Sequence, residues 1–77
     1  MSTDEVLQLV TWGWCHGIAD LLTKLRDEAR ITPLYASTLA EAIANEIDLS
    51  LRERGIDPVE RLEVLEPLDH LIVKERT

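Results

Sequence analysis

A cysteine and a histidine stand side by side at Cys15 and His16, and these are the residue types of a thiol nucleophile and its general base. Successive residues of a helix project about 100° apart, so the two side chains do not face each other, and a dyad would need His70. No glycine-rich turn for an oxyanion site accompanies them, and the two histidines, His16 and His70, do not share a helix face at i, i+4 spacing. We therefore predict no catalytic residue, metal or cofactor, and a buried, apolar role for Cys15.

The segment Trp12 to Gly17 has the most unusual composition in the chain. On a helical wheel, Leu9, Trp12 and His16 fall together on one side, and Trp14 falls on the other. Tryptophan is a typical anchor of protein interfaces, so Leu9, Trp12 and His16 are candidate partner-binding residues. The alternative is that the C-terminal segments of the chain fold over them.

An acidic row follows, with Glu60, Glu63 and Glu66 at steps of three residues and Asp57 and Asp69 at its ends. Such a row is typical of a solvated face. Alternatively, Glu60 and Glu63 present carboxylates to a basic surface of a protein partner, and we include both among the candidate partner-binding residues.

Three prolines divide the chain, at positions 33, 58 and 67. Proline fits the first position of a helix, and the residue before it is excluded from helical geometry. The pattern predicts four helical segments, at about residues 3–30, 33–54, 58–65 and 67–75. The last contains Leu-Ile-Val, which suits a strand as well as a helix, so both remain open there.

The first segment begins with a capping box at Ser2 and Glu5. Apolar residues recur every 3.6 positions without a break at Gly13 and Gly17, which predicts one continuous helix. Its expected core face comprises Leu7, Val10, Trp14, Ile18, Leu21 and Leu25. Gly13 and Gly17 are expected to permit close packing on the small residues of the second segment, Ala36, Ala40 and Ala44.

The second segment carries an apolar face of Ala36, Leu39, Ala40, Ile43, Ala44, Ile47 and Leu51. A second capping box at Thr38 and Glu41 leaves two possible starts, near Pro33 or near Leu39. Gly55 follows the segment and is free to adopt the left-handed conformation that ends many helices.

Composition limits the classes of function. The 77 residues predict a single domain over 1–77, and a formal net charge of −7 disfavours direct binding to nucleic acid or to anionic membranes. No apolar stretch reaches the roughly 20 residues of a membrane span, and Asp4 and Glu5 stand where a signal peptide is basic, so we expect a cytoplasmic protein. The single cysteine excludes an internal disulfide.

These patterns predict an all-α fold, with two long antiparallel helices and two short C-terminal helical segments. Helices this long expose more apolar surface than so short a chain can cover, so we expect a homodimer that completes a small helical bundle. Its expected core is Leu7, Trp14, Leu39 and Ile43, with contacts from Leu9 and Trp12.

The favoured function is a non-enzymatic, acidic protein-binding module that occludes the surface of a partner, as inhibitor, antitoxin-like or immunity-like proteins do. An alternative is a structural or accessory subunit of a larger assembly. A third hypothesis is a small helical enzyme with its site between subunits.

Overall fold

The computed structural model describes residues 2–73, which form three helices and no strand. Helix α1 spans Thr3–Asp27, α2 spans Pro33–Glu53 and α3 spans Pro58–Asp69. The all-α prediction is confirmed, and α1 continues through both internal glycines as expected. None of the helices among these residues is long and apolar enough to cross a membrane.

Each helix begins at a side-chain cap, and Ser2 is the cap that the first capping box predicted. The backbone N–H groups of Glu5, Tyr35 and Val59 donate to the side chains of Ser2, Thr32 and Asp57 at 3.2, 3.0 and 2.8 Å respectively. These bonds satisfy N–H groups that have no partner within the helix. The cap at Thr32 shows that α2 begins at Pro33 rather than near Leu39.

The two long helices end in the same way. Gly55 and Ala29 adopt left-handed backbone conformations, with φ of +76° and +58°. The residues that follow them, Ile56 and Arg30, donate their N–H groups to carbonyls five residues earlier, at 3.1 and 2.9 Å. This Schellman arrangement confirms the role predicted for Gly55 and ends α1 at Asp27, earlier than expected.

The core lies where α3 packs against both long helices. Its buried residues come from all three helices and the flanking loops, and they are Cys15, Ala19, Leu22, Ala40, Ala44, Leu51, Ile56, Val64, Leu65, Leu68 and Leu71. The small side chains of α1 and α2 in this cluster leave room for the larger side chains of α3. The chain after α3 is held to α2, because the Val73 N–H donates to Ser37 Oγ at 2.7 Å.

The core face predicted for α1 is only partly correct. Leu7 and Ile18 are partly buried against the core, whereas Val10, Trp14 and Leu21 are exposed. The fully buried residues of α1 are Thr11, Cys15, Ala19 and Leu22. They lie to one side of the predicted stripe, so part of that stripe faces away from the core. The predicted face of α2 is correct, with its alanines and Leu51 buried and Leu39, Ile43 and Ile47 partly buried.

The predicted packing of Gly13 and Gly17 against the alanines of α2 is also wrong. A methyl group added at either glycine would meet nothing within 4 Å, so both positions face open space. The small α1 residues in the core are instead Cys15 and Ala19, which belong to the same cluster as Ala40.

The predicted break at Pro67 does not occur, so the third and fourth segments form a single helix. Pro67 lies within the last turn of α3, which runs on to Asp69. The helix continues because Val64 and Leu68 on either side of the proline are buried in one core, and burial outweighs one missing backbone hydrogen bond. Residues 70–73 are not helical, and the rest of the predicted segment lies outside the described residues.

Candidate protein-binding groove

A groove of about 770 Å³ separates α1 from α3 on one side of the molecule. We call it the acidic groove. It is lined from α1 by Glu5, Gln8, Leu9 and Trp12, and from α3 by Glu60, Glu63, Val64 and Glu66. Helical spacing aligns the α1 residues, because positions 5, 9 and 12 recur at i, i+4 and i+7 on one face.

The floor of the acidic groove is apolar. Val64 belongs to the buried core, whereas the side chains of Leu9 and Trp12 are 55% and 45% exposed. Their partial exposure follows from the position of α3, which lies beside them and covers only one side. The groove therefore offers an indole and a leucine side chain to a ligand without unfolding any helix.

The rim of the acidic groove is negatively charged. Glu5, Glu60, Glu63 and Glu66 are all exposed, and none of the lining residues is lysine or arginine. The arginine of α3 points elsewhere, since Arg61 pairs with Asp48 at 2.9 Å and donates to the Ile56 carbonyl at 2.6 Å. Several carboxylates around one apolar floor create a negative potential that attracts cations.

One polar contact links the two walls of the groove. The Gln8 side-chain amide donates to the Glu60 carboxylate at 3.5 Å, at the long end of hydrogen-bond distances. Because this contact is long and exposed, a ligand that offers a better donor to Glu60 can replace it. Apart from this contact, the position of α1 relative to α3 is fixed by the packed core beneath the groove.

A smaller cavity of about 390 Å³ extends the groove toward the C-terminal end of α3. Trp12 and Glu66 line both cavities, and His16 and His70 lie on opposite walls of the smaller one. The His16 ring lies 5.3 Å from the Trp12 ring, centroid to centroid, and its Nδ1 is 3.3 Å from the Asp20 carboxylate. Within residues 2–73, no three His, Cys, Asp or Glu side chains are placed to hold a metal ion.

Cys15 is fully buried in the core, as the sequence predicted. Burial raises the pKa of the Cys15 thiol, and the negative charge of Asp69 raises it further. Both effects favour the neutral thiol, whereas a nucleophilic cysteine needs a lowered pKa and access to solvent. His70, the histidine that a dyad would need, is exposed and its Nε2 lies 3.6 Å from the carboxylate of Glu66.

The structure brings together the five residues that the sequence singled out for partner binding. Leu9, Trp12, Glu60 and Glu63 line the acidic groove, and His16 lines its smaller extension. The alternative expectation was that the C-terminal segments cover Leu9, Trp12 and His16. It is met on one side only, because α3 leaves Leu9 and Trp12 about half exposed.

Sequence reasoning left four of the groove's lining residues out of the candidate set: Glu5 and Gln8 on α1, and Val64 and Glu66 on α3. The capping position of Glu5 accounts for its charge, and Gln8 matches no motif. Their alignment with Leu9 and Trp12 at helical spacing is the signal that could have found them. The residues that lie opposite Glu5 and Gln8 depend on where α3 docks, and the local sequence does not specify that position.

Residues 2–73 thus form a three-helix fold of the all-α class. In comparisons with known proteins, no family model, no curated protein and no solved structure matches the chain.

Proposed function

We propose that the protein is a non-enzymatic protein-binding module that takes a basic surface of its partner into the acidic groove and thereby occludes it. This mode of action is that of inhibitor, antitoxin-like or immunity-like proteins. The observation that supports it is the exposed apolar floor of Leu9 and Trp12 inside a rim of four carboxylates.

The two parts of the groove supply different terms of a binding free energy. Burial of the exposed parts of Trp12 and Leu9 supplies affinity, since buried apolar area contributes about 25 cal/mol per Å². The carboxylates select the partner and accelerate its encounter, because opposite charges attract at long range and like charges are rejected. An arginine or lysine beside the indole face of Trp12 would also gain a cation–π contact.

The ligand that fits is therefore a segment with an apolar side chain flanked by lysine or arginine. Nucleic acid and anionic membranes do not fit, because the rim repels phosphate groups. A cytoplasmic location accords with the free thiol of Cys15, since cysteines persist unpaired in reducing compartments.

Short labelled peptides test this function before any partner is identified. A peptide with lysine and arginine around a leucine pair is expected to bind, and the same peptide with glutamate in place of the cations is not. Fluorescence anisotropy measures both affinities at low salt and at about 1 M salt, where screening shortens the reach of charges to about 3 Å.

Charge reversal locates the binding site. The double variant Glu60→Lys, Glu63→Lys is expected to bind the cationic peptide at least about tenfold more weakly at low salt. A matched control is Glu41→Lys, Glu53→Lys, which makes the same change of net charge at exposed positions of α2. If both double variants weakened peptide binding equally, the acidic groove would not be the binding site, and the effect would be a non-specific one of net charge.

A homodimer is part of this proposal. Cores of domains this small rarely supply more than about 3–5 kcal/mol, so association is a common source of further stability. Twelve large hydrophobic residues of the described chain are exposed, among them both tryptophans. Equilibrium sedimentation that gives the monomer mass at micromolar concentration would contradict the dimer.

The second candidate function, an accessory subunit of a larger assembly, is favoured by the exposed apolar face that carries Val10, Trp14 and Leu21. Such a subunit needs its partner to stay folded and in solution. Expression of the chain alone separates the two functions: a stable, soluble protein supports the binding module, and one that aggregates without its partner supports the subunit.

A further inference from the structure

Both histidines of the chain lie on the smaller cavity at the end of the acidic groove. His16 belongs to α1 and His70 follows α3, and their side chains are 54% and 74% exposed, so both exchange protons with the solvent. Histidine is the side chain that ordinarily changes its charge between about pH 5 and 8. The charge at this end of the groove therefore depends on pH near neutrality.

His16 is placed to act on Trp12, which lines both cavities. The two ring centroids are 5.3 Å apart, and a cation within about 6 Å of an indole centroid is attracted to the ring. While His16 is neutral, the indole is left to a lysine or arginine of the bound segment. Once protonated, His16 is itself a cation at the indole, and the Asp20 carboxylate, 3.3 Å from its Nδ1, holds it there. It then repels the cation of the ligand.

His70 is placed to act on Glu66, the other residue that both cavities share. Its Nε2 lies 3.6 Å from the Glu66 carboxylate, one helical turn earlier in the chain. While His70 is neutral, Glu66 keeps a full negative charge for the ligand. Once His70 is protonated, the two side chains form an ion pair, and the groove loses the attraction of one of its rim carboxylates.

We propose that protonation of His16 and His70 releases the bound cationic segment, so that the acidic groove holds its partner near neutral pH and lets it go under mildly acidic conditions. This inference rests on the proposed function and adds its regulation. The mechanism is competition within the site. The two imidazolium groups take the indole of Trp12 and the carboxylate of Glu66, which are the two residues that connect the smaller cavity to the groove.

The other charges around the two histidines are carboxylates. Among residues 2–73, the charged groups that line the smaller cavity beside the histidines are Asp20 from α1 and Glu66 from α3, and α2 contributes no lining residue. Asp69 precedes His70 in the chain and is partly buried. Each histidine thus has one carboxylate partner, and protonation of both changes the formal charge of the cavity from that of two carboxylates to zero. Protonation therefore weakens the attraction for a cation, and a bound cation opposes protonation to the same extent.

Fluorescence anisotropy of the cationic peptide at two pH values tests the inference. With blocked ends, a peptide of lysine, arginine and leucine has no group that titrates between about pH 5.5 and 7.5, and carboxylic side chains ordinarily stay ionised over that range. At low salt, we expect the Kd of the wild type to be at least about tenfold higher at pH 5.5 than at pH 7.5, because two positive charges appear close to the ligand. The ratio of the two Kd values is compared between proteins, so that an effect of a substitution on affinity itself cancels.

The double variant His16→Gln, His70→Gln removes every histidine from the chain, and it is expected to bring the ratio below about twofold. Glutamine keeps a hydrogen-bonding side chain without the charge. The matched control adds Asn45→His and Ser50→His to that double variant, which returns two imidazoles to exposed positions of α2. Its ratio is also expected to stay below about twofold, because α2 lines neither cavity. Circular dichroism at both pH values shows that each protein is folded.

The possible results separate this inference from the proposed function. A ratio of about tenfold that disappears in the double variant and does not return in the control would support the inference. A wild-type ratio below about twofold, or one that persists without the histidines, would overturn it and leave the acidic groove standing. A ratio restored by the histidines on α2 would also overturn it, since net charge alone would then set the affinity. A wild type that does not bind the peptide at pH 7.5 would reject the proposed function, and the inference with it.

Discussion

Replacement of Trp12 by alanine tests the acidic groove most directly. Trp12 is 45% exposed, so roughly half of a side chain of about 200 Å² is already packed against the protein, and its loss is expected to cost about 2–3 kcal/mol of the free energy of unfolding. The exposed half is what a ligand would bury. Loss of an interface anchor of this kind costs about 2 kcal/mol or more, which is about a 30-fold rise in Kd for the cationic peptide.

The matched control for Trp12→Ala is Trp14→Ala, which removes the same side chain from the opposite face of the same helix. Urea titration measures the stability of both variants, and anisotropy measures peptide affinity under conditions where both are folded. We expect Trp14→Ala to leave peptide affinity within about twofold of the wild type, since it changes no groove residue. Unchanged affinity in Trp12→Ala, or an equal loss in both variants, would refute the assignment of the groove.

Three further predictions concern stability. Ala29→Gly is expected to stabilise the protein by about 0.5–1 kcal/mol in urea denaturation. The reason is that Ala29 has a φ of +58°, a conformation that costs a non-glycine residue about 1–2 kcal/mol. A loss of stability would contradict the left-handed cap. Gly13→Ala and Gly17→Ala should each raise the free energy of unfolding by up to about 1 kcal/mol, because alanine favours the helix and nothing lies within 4 Å of an added methyl group. A loss of stability would show that something packs on these positions. Because the pKa of Cys15 is raised in the folded protein, its thiol loses its proton at a lower pH in the unfolded chain than in the folded one. The free energy of unfolding should therefore fall as pH rises above about 8.5, and it should fall less in Cys15→Ala. Identical pH profiles of the two proteins would refute this.

Local signals in the sequence indicated where the helices lie and several of their caps, but not the end of α1 at Asp27 or the continuation of α3 through Pro67. The hydroxyls of Ser2 and Thr32, the carboxylate of Asp57 and the freedom of Gly55 act on backbone groups within a few residues, so their effects follow from the order of residues alone. The separation of Trp12 from Trp14 also follows from helical spacing.

Tertiary packing decided which apolar stripe of α1 is buried, and this was beyond the reach of the sequence. Two stripes satisfied the helical period, and the larger one, with Trp14 and Leu21, looked like the core. The chain instead buried Cys15 and Ala19, because small side chains let α3 dock closely, and the same docking carried α3 past Pro67 without a break. Periodicity shows that a face is apolar, but only the docking of another helix determines whether that face is covered.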